Sequence, residues 1–183
     1  YMAEHAWENT VSAQFWAALD RAAGRDTSSA LATFIEQPGL PLVSAERVGE
    51  NQVRLTQRRF SAANASLPAQ SWRIPVGVRW SDGQATRVET LLLDGPSKLV
   101  TLPGPRVAWA FPNADSAGYY RWDMPSAELI DLAGHAAQRL TANERIGFLT
   151  NLAALLDAGE VDGGEYLDVV ARFGFELGAR CAD

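Results

Sequence analysis

One block of the sequence, roughly residues 44–123, alternates apolar and polar residues with a period of two, and it lies between two blocks of helical periodicity. Period two is the repeat of a half-buried β-strand, whereas apolar residues three or four positions apart mark one face of a helix. The clearest strand signal is the unbroken alternation of Trp72, Ile74, Val76, Val78 and Trp80. The pattern predicts an α+β fold, a small antiparallel β-sandwich flanked by an N-terminal helix pair and C-terminal helices.

The first block predicts two short helices. One runs from a Thr10 N-cap to a stop at Gly24, and the other runs from Ser28 to Gln37. Pro38-Gly39-Leu40-Pro41 then ends the helical structure. A buried stripe is expected on each helix: Val11, Phe15, Ala18, Leu19 and Ala22 on the first, and Leu31, Phe34 and Ile35 on the second.

The middle block predicts short strands separated by turns that contain glycine and proline. Pro75 lies inside the clearest strand and predicts an edge position or a bulge, because proline has no N–H to donate. Ser81-Asp82-Gly83-Gln84 predicts a hairpin turn. Short strands at this spacing favour an antiparallel sandwich. The expected strands are Asn51–Phe60, Trp72–Trp80, Arg87–Leu93, Lys98–Leu102, Arg106–Phe111 and Gly118–Trp122.

Helical periodicity returns after Pro125. Thr141 and Glu144 match a capping box, and Gly159 ends the helix that they begin. We expect three segments, with helices at 1–43, the sandwich at 44–123 and further helices at 124–183. The residues expected inside are Ile146, Leu149, Leu152, Ala153 and Leu156, and, in a last helix from about Gly164, Tyr166, Val169, Val170, Phe173 and Leu177.

Charge and hydropathy restrict the partners of the chain. A net charge of −6 argues against nucleic acid, because phosphate recognition needs clustered lysine and arginine. Arg54, Arg58 and Arg59 form a basic run, which predicts a solvated strand face, with a site for an anion or acidic partner as the alternative. No apolar run approaches the roughly 20 residues that span a bilayer. A single cysteine, Cys181, excludes an internal disulfide and leaves the compartment unknown.

The sequence offers no recognisable catalytic, cofactor-binding or metal-ligating set. Zinc sites commonly use two histidines one helical turn apart, but no histidine stands four residues after His5 or His135. Asp131 precedes His135 by one turn, and we expect a surface polar pair there. Neither histidine is placed to activate a nucleophile, and Cys181 lies too near the chain end to be a good one. No glycine-rich phosphate loop is present.

Two further features receive ordinary structural interpretations. The acidic loop formed by Asp157, Glu160, Asp162 and Glu165 lacks the spacing of a calcium loop, and its second half predicts a helix start. Asn64-Ala65-Ser66 matches a glycosylation acceptor, but such triplets are common by chance and we expect a plain loop.

Five short motifs follow one another along the chain. They are Gly39-Leu40-Pro41; Gln57-Arg58-Arg59-Phe60; Trp72-Arg73-Ile74-Pro75-Val76; Asn113 with Gly118-Tyr119-Tyr120-Arg121; and Leu140 with Glu144-Arg145, Leu155 and Ala158-Gly159. In this order they resemble the middle region of gluzincin zinc aminopeptidases of the aminopeptidase N type. The resemblance covers nearly the whole chain. Phe34 departs from it where a tryptophan is usual, and Asn151 where an aspartate is common.

The resemblance implies that the chemistry lies upstream, in a longer parent protein of which this chain, which begins at Tyr1, is expected to be a piece. In such enzymes a zinc ion activates a water and a glutamate takes its proton. No position of that machinery is present here, so no catalytic, cofactor-binding or metal residue carries over. The resemblance implies zinc in the parent and none in this piece. It also implies that residues 1–43 are trailing helices of the catalytic domain and that 124–183 begin the C-terminal helical domain.

The expected function is that of a non-catalytic spacer in a zinc metallo-aminopeptidase that releases N-terminal amino acids from peptides. Its implied partners are the rest of the parent chain and, for the parent, peptide substrates. A family member whose zinc ligands have decayed, leaving a scaffold, is a second possibility. A reading frame several hundred residues longer upstream, with paired histidines on a helix, favours the enzyme.

A third interpretation is a free-standing sandwich that binds other proteins. Its face would be Tyr119, Tyr120 and Trp122, or the strand that carries Arg54 to Arg59. Because aromatic residues at alternating strand positions point to opposite faces, at least one of these rings should pack into the sandwich.

Overall fold

The strand block folds into two sheets. The structure, a computed structural model, describes residues 1–61 and 67–179. Within those ranges it contains seven strands: β1 Leu40–Val48, β2 Gln52–Phe60, β3 Ile74–Ser81, β4 Thr86–Leu93, β5 Ser97–Thr101, β6 Trp109–Phe111 and β7 Arg121–Asp123. The strand order is β5-β2-β1-β7 in the larger sheet and β4-β3-β6 in the smaller one. The predicted fold class is confirmed.

The inward faces of the two sheets form one apolar core. Val53 and Leu55 of β2 are buried on the same face, as predicted, and every second residue from Trp72 to Trp80 is buried. All strand pairs are antiparallel except β1 with β7, which is parallel with Leu42 opposite Arg121. The parallel pair follows from the return of the chain, through the 3-10 turn at Ala114–Ser116, to the far edge of the larger sheet.

Two prolines lie in strands where the sequence pattern was misleading. The strand β1 was not predicted, since Pro41 was interpreted only as a helix stop. Pro41 is tolerated because β7 pairs only with residues 42–44, so one flank of the strand beside the proline is unpaired. The edge position predicted from Pro75 is wrong, because β3 is the central strand of its sheet. Its neighbour β6 pairs only with Arg79–Ser81, so Pro75 also has one unpaired flank.

The N-terminal helices are α1, Ser12–Ala23, and α2, Ser28–Ile35. Gly24 ends α1 with a φ of 63°, as predicted, but the helix begins after Val11, whose N–H donates to Gln14 Oε1 at 2.9 Å. The two helices are joined through Asp20, whose carboxylate accepts the backbone N–H groups of Thr27 and Ser28 at 2.7 and 2.9 Å. Hydrogen bonds from Ser28 and Thr27 lower the pKa of Asp20.

The buried stripes predicted for the helix pair are wrong. The structure describes every residue of α1 and α2, and among them only Ala30 is buried. The side chain of Phe15 is 41% exposed and that of Ile35 is 62% exposed. The helical periodicity is correct, but this apolar face is only partly covered: Phe34 packs against the core, and the Tyr1 ring lies 5.4 Å from that of Phe15.

The C-terminal helices are α3 Ser126–Ala133, α4 Ala136–Arg139, α5 Ala142–Asp157 and α6 Gly163–Ala179. The capping box of α5 is confirmed, because Glu144 N–H donates to Thr141 Oγ1 and Thr141 N–H donates to Glu144 Oε2. The predicted start of α6 is confirmed by a hydrogen bond from Glu165 N–H to Asp162 Oδ1 at 2.9 Å. No helix in the described part of the chain has both the length and the apolar character needed to cross a membrane.

The buried face of α5 matches the prediction only in part, because Leu152 is buried as predicted but other residues of the predicted stripe are not. Ile146 is 67% exposed and Leu149 is 37% exposed. Two polar residues lie on the buried face, so a hydrophobicity pattern alone placed the stripe wrongly. The residues buried on α5 are Glu144, Phe148, Asn151, Leu152 and Leu155. In α6, Val169 and Phe173 are buried as predicted.

Candidate functional site: the junction of sandwich and helices

The histidines do not assemble a metal or catalytic centre. His5 is half-buried beside the Tyr1 ring, with centroids 4.9 Å apart, and His135 is exposed on the C-terminal helices. His135 Nδ1 lies 3.3 Å from an Asp131 carboxylate oxygen, so the predicted surface pair is confirmed. Within residues 1–61 and 67–179, no three histidine, cysteine, aspartate or glutamate side chains converge as metal ligands. The described residues therefore do not fit a zinc site. Cys181 and Asn64-Ala65-Ser66 lie outside them.

Arg54 and Arg58 lie on a solvated face of β2, as predicted, but Arg59 is half-buried on the opposite face, with Val53, Leu55 and Gln57. Arg54 Nη1 donates to Glu46 at 3.0 Å, and Arg58 donates to Glu160 in the loop before α6. The hydrogen bond that Arg58 donates to Glu160 raises the pKa of Arg58. With these two arginines paired to carboxylates of the same chain, the strand is a poor anion site.

The aromatic face of the interaction-module interpretation is largely internal. Tyr120 and Trp122 are buried, and only Tyr119, at 74%, is exposed. The Tyr120 hydroxyl donates to the Pro112 carbonyl at 2.7 Å, and burial raises the pKa of that tyrosine. Gly118 is required beside it, because an added Cβ would lie 2.1 Å from the Tyr120 ring. The prediction that at least one ring packs inside is confirmed.

The most distinctive polar group of the molecule is the Glu144 carboxylate, whose side chain is 0% exposed at the start of α5. Arg79 Nε of β3 donates to Glu144 Oε1 at 2.7 Å, and Asp115 N–H donates to the same oxygen at 2.8 Å. Its other oxygen accepts the capping-box hydrogen bond from Thr141. One carboxylate thus joins a strand, the 3-10 turn and a helix.

The backbone at this point is held in an unusual conformation. Asp115 and Ser116 have φ values of 56° and 55°, the left-handed region that residues with a Cβ rarely adopt. Arg79 Nη2 also contacts the Asp115 carboxylate at 3.0 Å. Sequence analysis identified Glu144 as a capping residue and as part of a short motif, but nothing local shows that Arg79 lies across from it.

Three amide side chains in the described part of the chain bind both backbone groups of one distant or neighbouring residue; we call them amide clamps. Gln57 accepts Trp72 N–H and donates to Trp72 O, both at 2.7 Å. Asn151 accepts Trp122 N–H at 3.1 Å and donates to Trp122 O at 2.8 Å. Asn113 accepts Gly118 N–H at 2.8 Å, and its amide group donates to Gly118 O at 3.4 Å.

The amide clamps explain part of the sequence pattern. All three side chains are buried, where an unpaired backbone N–H or C=O would be costly. Four of the six residues that form the clamps belong to the five motifs recognised in the sequence: Gln57, Trp72, Asn113 and Gly118. These motif residues therefore stabilise the fold where separate segments of the chain meet.

An acidic residue lies beside the junction. Asp123 ends β7 and is half-buried; burial raises the pKa of its carboxyl, and a hydrogen bond from Ser44 and the charge of Arg58 oppose that rise. A raised folded-state pKa means that its contribution to stability is present at low pH and falls as the pH rises through that pKa. Burial of the Asp123 carboxyl therefore lowers the stability of the fold at neutral pH. Asp123 has no catalytic partner among its described contacts.

We expect Asn151→Asp to destabilise the chain by roughly 1–3 kcal/mol at neutral pH. An aspartate can still accept Trp122 N–H, but it has no amide group to donate to Trp122 O, which would face an oxygen instead. Urea unfolding followed by far-UV circular dichroism would measure the loss.

Asn143→Asp is the matched control, because Asn143 is exposed in the first turn of the same helix. A carboxylate at a helix N-terminus is neutral to mildly favourable. Equal destabilisation by the two variants would contradict the role given to the Asn151 clamp.

Comparison with known proteins decides the relationship of the chain. It is 26% identical over 180 residues to Aminopeptidase 2 of Candida albicans, covering 96% of this chain and 19% of that protein. It is 27% identical over 180 residues to the puromycin-sensitive aminopeptidase of Caenorhabditis elegans, covering 93% and 19%. It is 24% identical over 173 residues to the Tricorn protease-interacting factor F2 of Thermoplasma acidophilum, covering 94% and 20%.

Over nearly its whole length the chain is similar to proteins named as aminopeptidases. The predicted resemblance to gluzincin aminopeptidases of the aminopeptidase N type is confirmed. No family model matches the chain. The chain spans about a fifth of the length of the curated relatives that it matches.

Proposed function

We propose that this chain is the non-catalytic middle region of a zinc aminopeptidase that removes amino-terminal residues from peptides. The observation that carries the proposal is its similarity, over nearly its whole length, to one fifth of several aminopeptidases. The residues shared with that family lie at structural joints, which supports a supporting role. In the parent, a zinc ion held by residues outside this chain would activate the attacking water.

The proposed arrangement has three parts. Residues 1–43 are the trailing helices of the catalytic domain, 44–123 are the sandwich, and 124–183 begin the C-terminal helical domain. The strand β1 begins at Leu40, within the last residues of the first proposed segment. The exposed apolar side of the helix pair, including Phe15 and Ile35, is where the catalytic domain would pack.

We propose that the sandwich acts as a spacer that positions the helical domain as a cover over the catalytic cleft. Such a cover limits the size of the substrate and excludes water from the reaction. The buried junction around Glu144 and Asn151 supports this role, because a spacer must fix the orientation of what it carries.

The 183-residue chain alone is expected to bind no stoichiometric zinc and to cleave no aminoacyl-anilide. Metal analysis after equilibration with zinc, together with an anilide assay, would test both expectations. Bound zinc with turnover would refute the proposal.

A second experiment tests the protein encoded by the complete reading frame. If the frame carries an upstream helix with paired histidines, the full-length protein should bind zinc and release amino acids from peptides. Full-length protein with intact ligands but no peptidase activity would also contradict the proposal. A frame without such ligands would identify the scaffold interpretation instead.

A further inference from the structure

We infer that the sandwich and the helices after it form one rigid body, and that the helix pair α1–α2 is a separate element that pivots against it. The sequence pattern places a boundary near residue 124, where strands give way to helices. The structure instead places residues from both sides of that boundary in one buried cluster. Neither part of this division depends on the activity of the parent protein.

A continuous row of aromatic rings crosses the boundary. The Trp122 ring lies 5.1 Å from that of Phe111 and 5.3 Å from that of Phe148, measured between centroids. Phe148 in turn lies 5.3 Å from Phe173 of α6. Because these rings are almost fully buried, the helices cannot tilt against the sandwich without opening the core.

Polar contacts fix the orientation of the helices relative to the sandwich at the same boundary. Arg79 of β3 reaches Glu144 of α5, and the Asn151 amide clamp holds β7 to the middle of that helix. Arg47 of β1 binds Glu128 of α3, with Nε 2.9 Å from the carboxylate, and donates to the Ala108 carbonyl at 2.6 Å. Three strands are thus tied to two helices by directional bonds, which permit little sliding.

The helix pair is attached in a different way. Among its described residues only Ala30 is buried and Phe34 packs against the core, while a groove of about 400 Å³ lies between α2 and the strands β3 and β4. Arg73 and Gln37 make the polar contacts across this boundary. Arg73 donates its backbone N–H to Thr33 Oγ1 at 3.1 Å, and its guanidinium binds Ser29. Gln37 donates to the Ser71 carbonyl at 3.1 Å. Because these contacts are few and partly exposed, breaking them costs little free energy.

The pivot lies in residues 36–39, between the end of α2 and the start of β1. Gly39 has a φ of 109°, and an added Cβ there would lie 2.8 Å from Arg59 Nε. A short segment can act as a hinge when it contains a glycine in a backbone conformation that other residues rarely adopt. Changes in its backbone dihedral angles then allow the elements on either side to rotate. The Asp20 carboxylate keeps α1 and α2 together as they move.

Native-state hydrogen exchange on the 183-residue chain tests this division. Amides of β3, β7 and α5 should open together, with the same dependence on denaturant, and amides of α1 and α2 should exchange at least about 100-fold faster. If α3–α6 opened while the sandwich stayed protected, or if the helix pair were protected as strongly as β3, the inference would be overturned.

Two variants make the test specific. Glu144→Gln should speed exchange in β3 and α5 by the same factor, about tenfold or more, whereas separable domains would respond in α5 alone. Arg73→Gln should speed exchange in α2 and leave β3 beyond Val76 and α5 unchanged. The matched control is Glu46→Gln, which removes the same charge from an exposed pair and should change none of these rates by more than about twofold.

Discussion

Trp122→Ala is expected to cost roughly 3–5 kcal/mol of unfolding free energy, the largest single loss that we predict for this chain. Trp122 is 2% exposed and packs between Phe111 and Phe148 at the junction of sandwich and helices. Truncation leaves a cavity bounded by these aromatic rings, which cannot collapse without moving both a strand and a helix. Urea unfolding would measure the loss, and the melting temperature should fall by roughly 10 °C.

Trp7→Ala is the matched control for that truncation. Trp7 is fully exposed, so the same chemical change should alter the unfolding free energy by no more than about 0.5 kcal/mol. If Trp122→Ala cost as little as Trp7→Ala, the aromatic row would not be the core of the junction. If the sandwich unfolded in this variant while the helices stayed folded, the chain would contain two separate cores and not the single core that we describe.

Arg79→Met is expected to cost roughly 3 kcal/mol, because it leaves the Glu144 carboxylate charged and buried without its cation. The loss should lie at the low end for a broken buried pair, since Asp115 and Thr141 still donate their backbone N–H groups to that carboxylate. Equilibrium unfolding in urea at neutral pH would measure it.

Arg54→Met is the control for the loss of an arginine. Its partner Glu46 is 52% exposed, and an ion pair of this kind contributes about 0–1 kcal/mol. Combining Arg79→Met with Glu144→Gln should restore part of the stability, because no charge is then left buried. A double variant less stable than Arg79→Met alone would show that the carboxylate contributes mainly through its backbone contacts.

Sequence patterns predicted the elements better than the faces that they bury. The alternation around Val76 and Val78 identified β3 because a half-buried strand forces period two on its own sequence. The stripe on α5 was misplaced because Glu144 and Asn151 are buried. A hydrophobicity pattern assigns a carboxylate or amide side chain to the surface unless its buried partner is known. Their partners, Arg79 and Trp122, are 65 and 29 residues away in sequence.

The candidate site shows the same division. The absence of a recognisable reactive set was an expectation from residue types and spacing, and the family resemblance came from motifs that stand in a fixed order. No local pattern indicated that Gln57, Asn113 and Asn151 play one common role. Each clamp requires a side chain and a backbone that meet only after the strands and helices have packed.

The sequence alone determined the succession of helix pair, strands and helices, the caps at Gly24 and Thr141, and the resemblance to aminopeptidases, because periodicity, capping and short motifs are local properties of the chain. Only the tertiary structure decided that β1 pairs in parallel with β7, that Tyr119 is exposed while Tyr120 and Trp122 are buried, and that the sandwich and helices share one core. These features depend on which distant segments exclude water from one another, and that information is distributed over the whole chain rather than written at any one position.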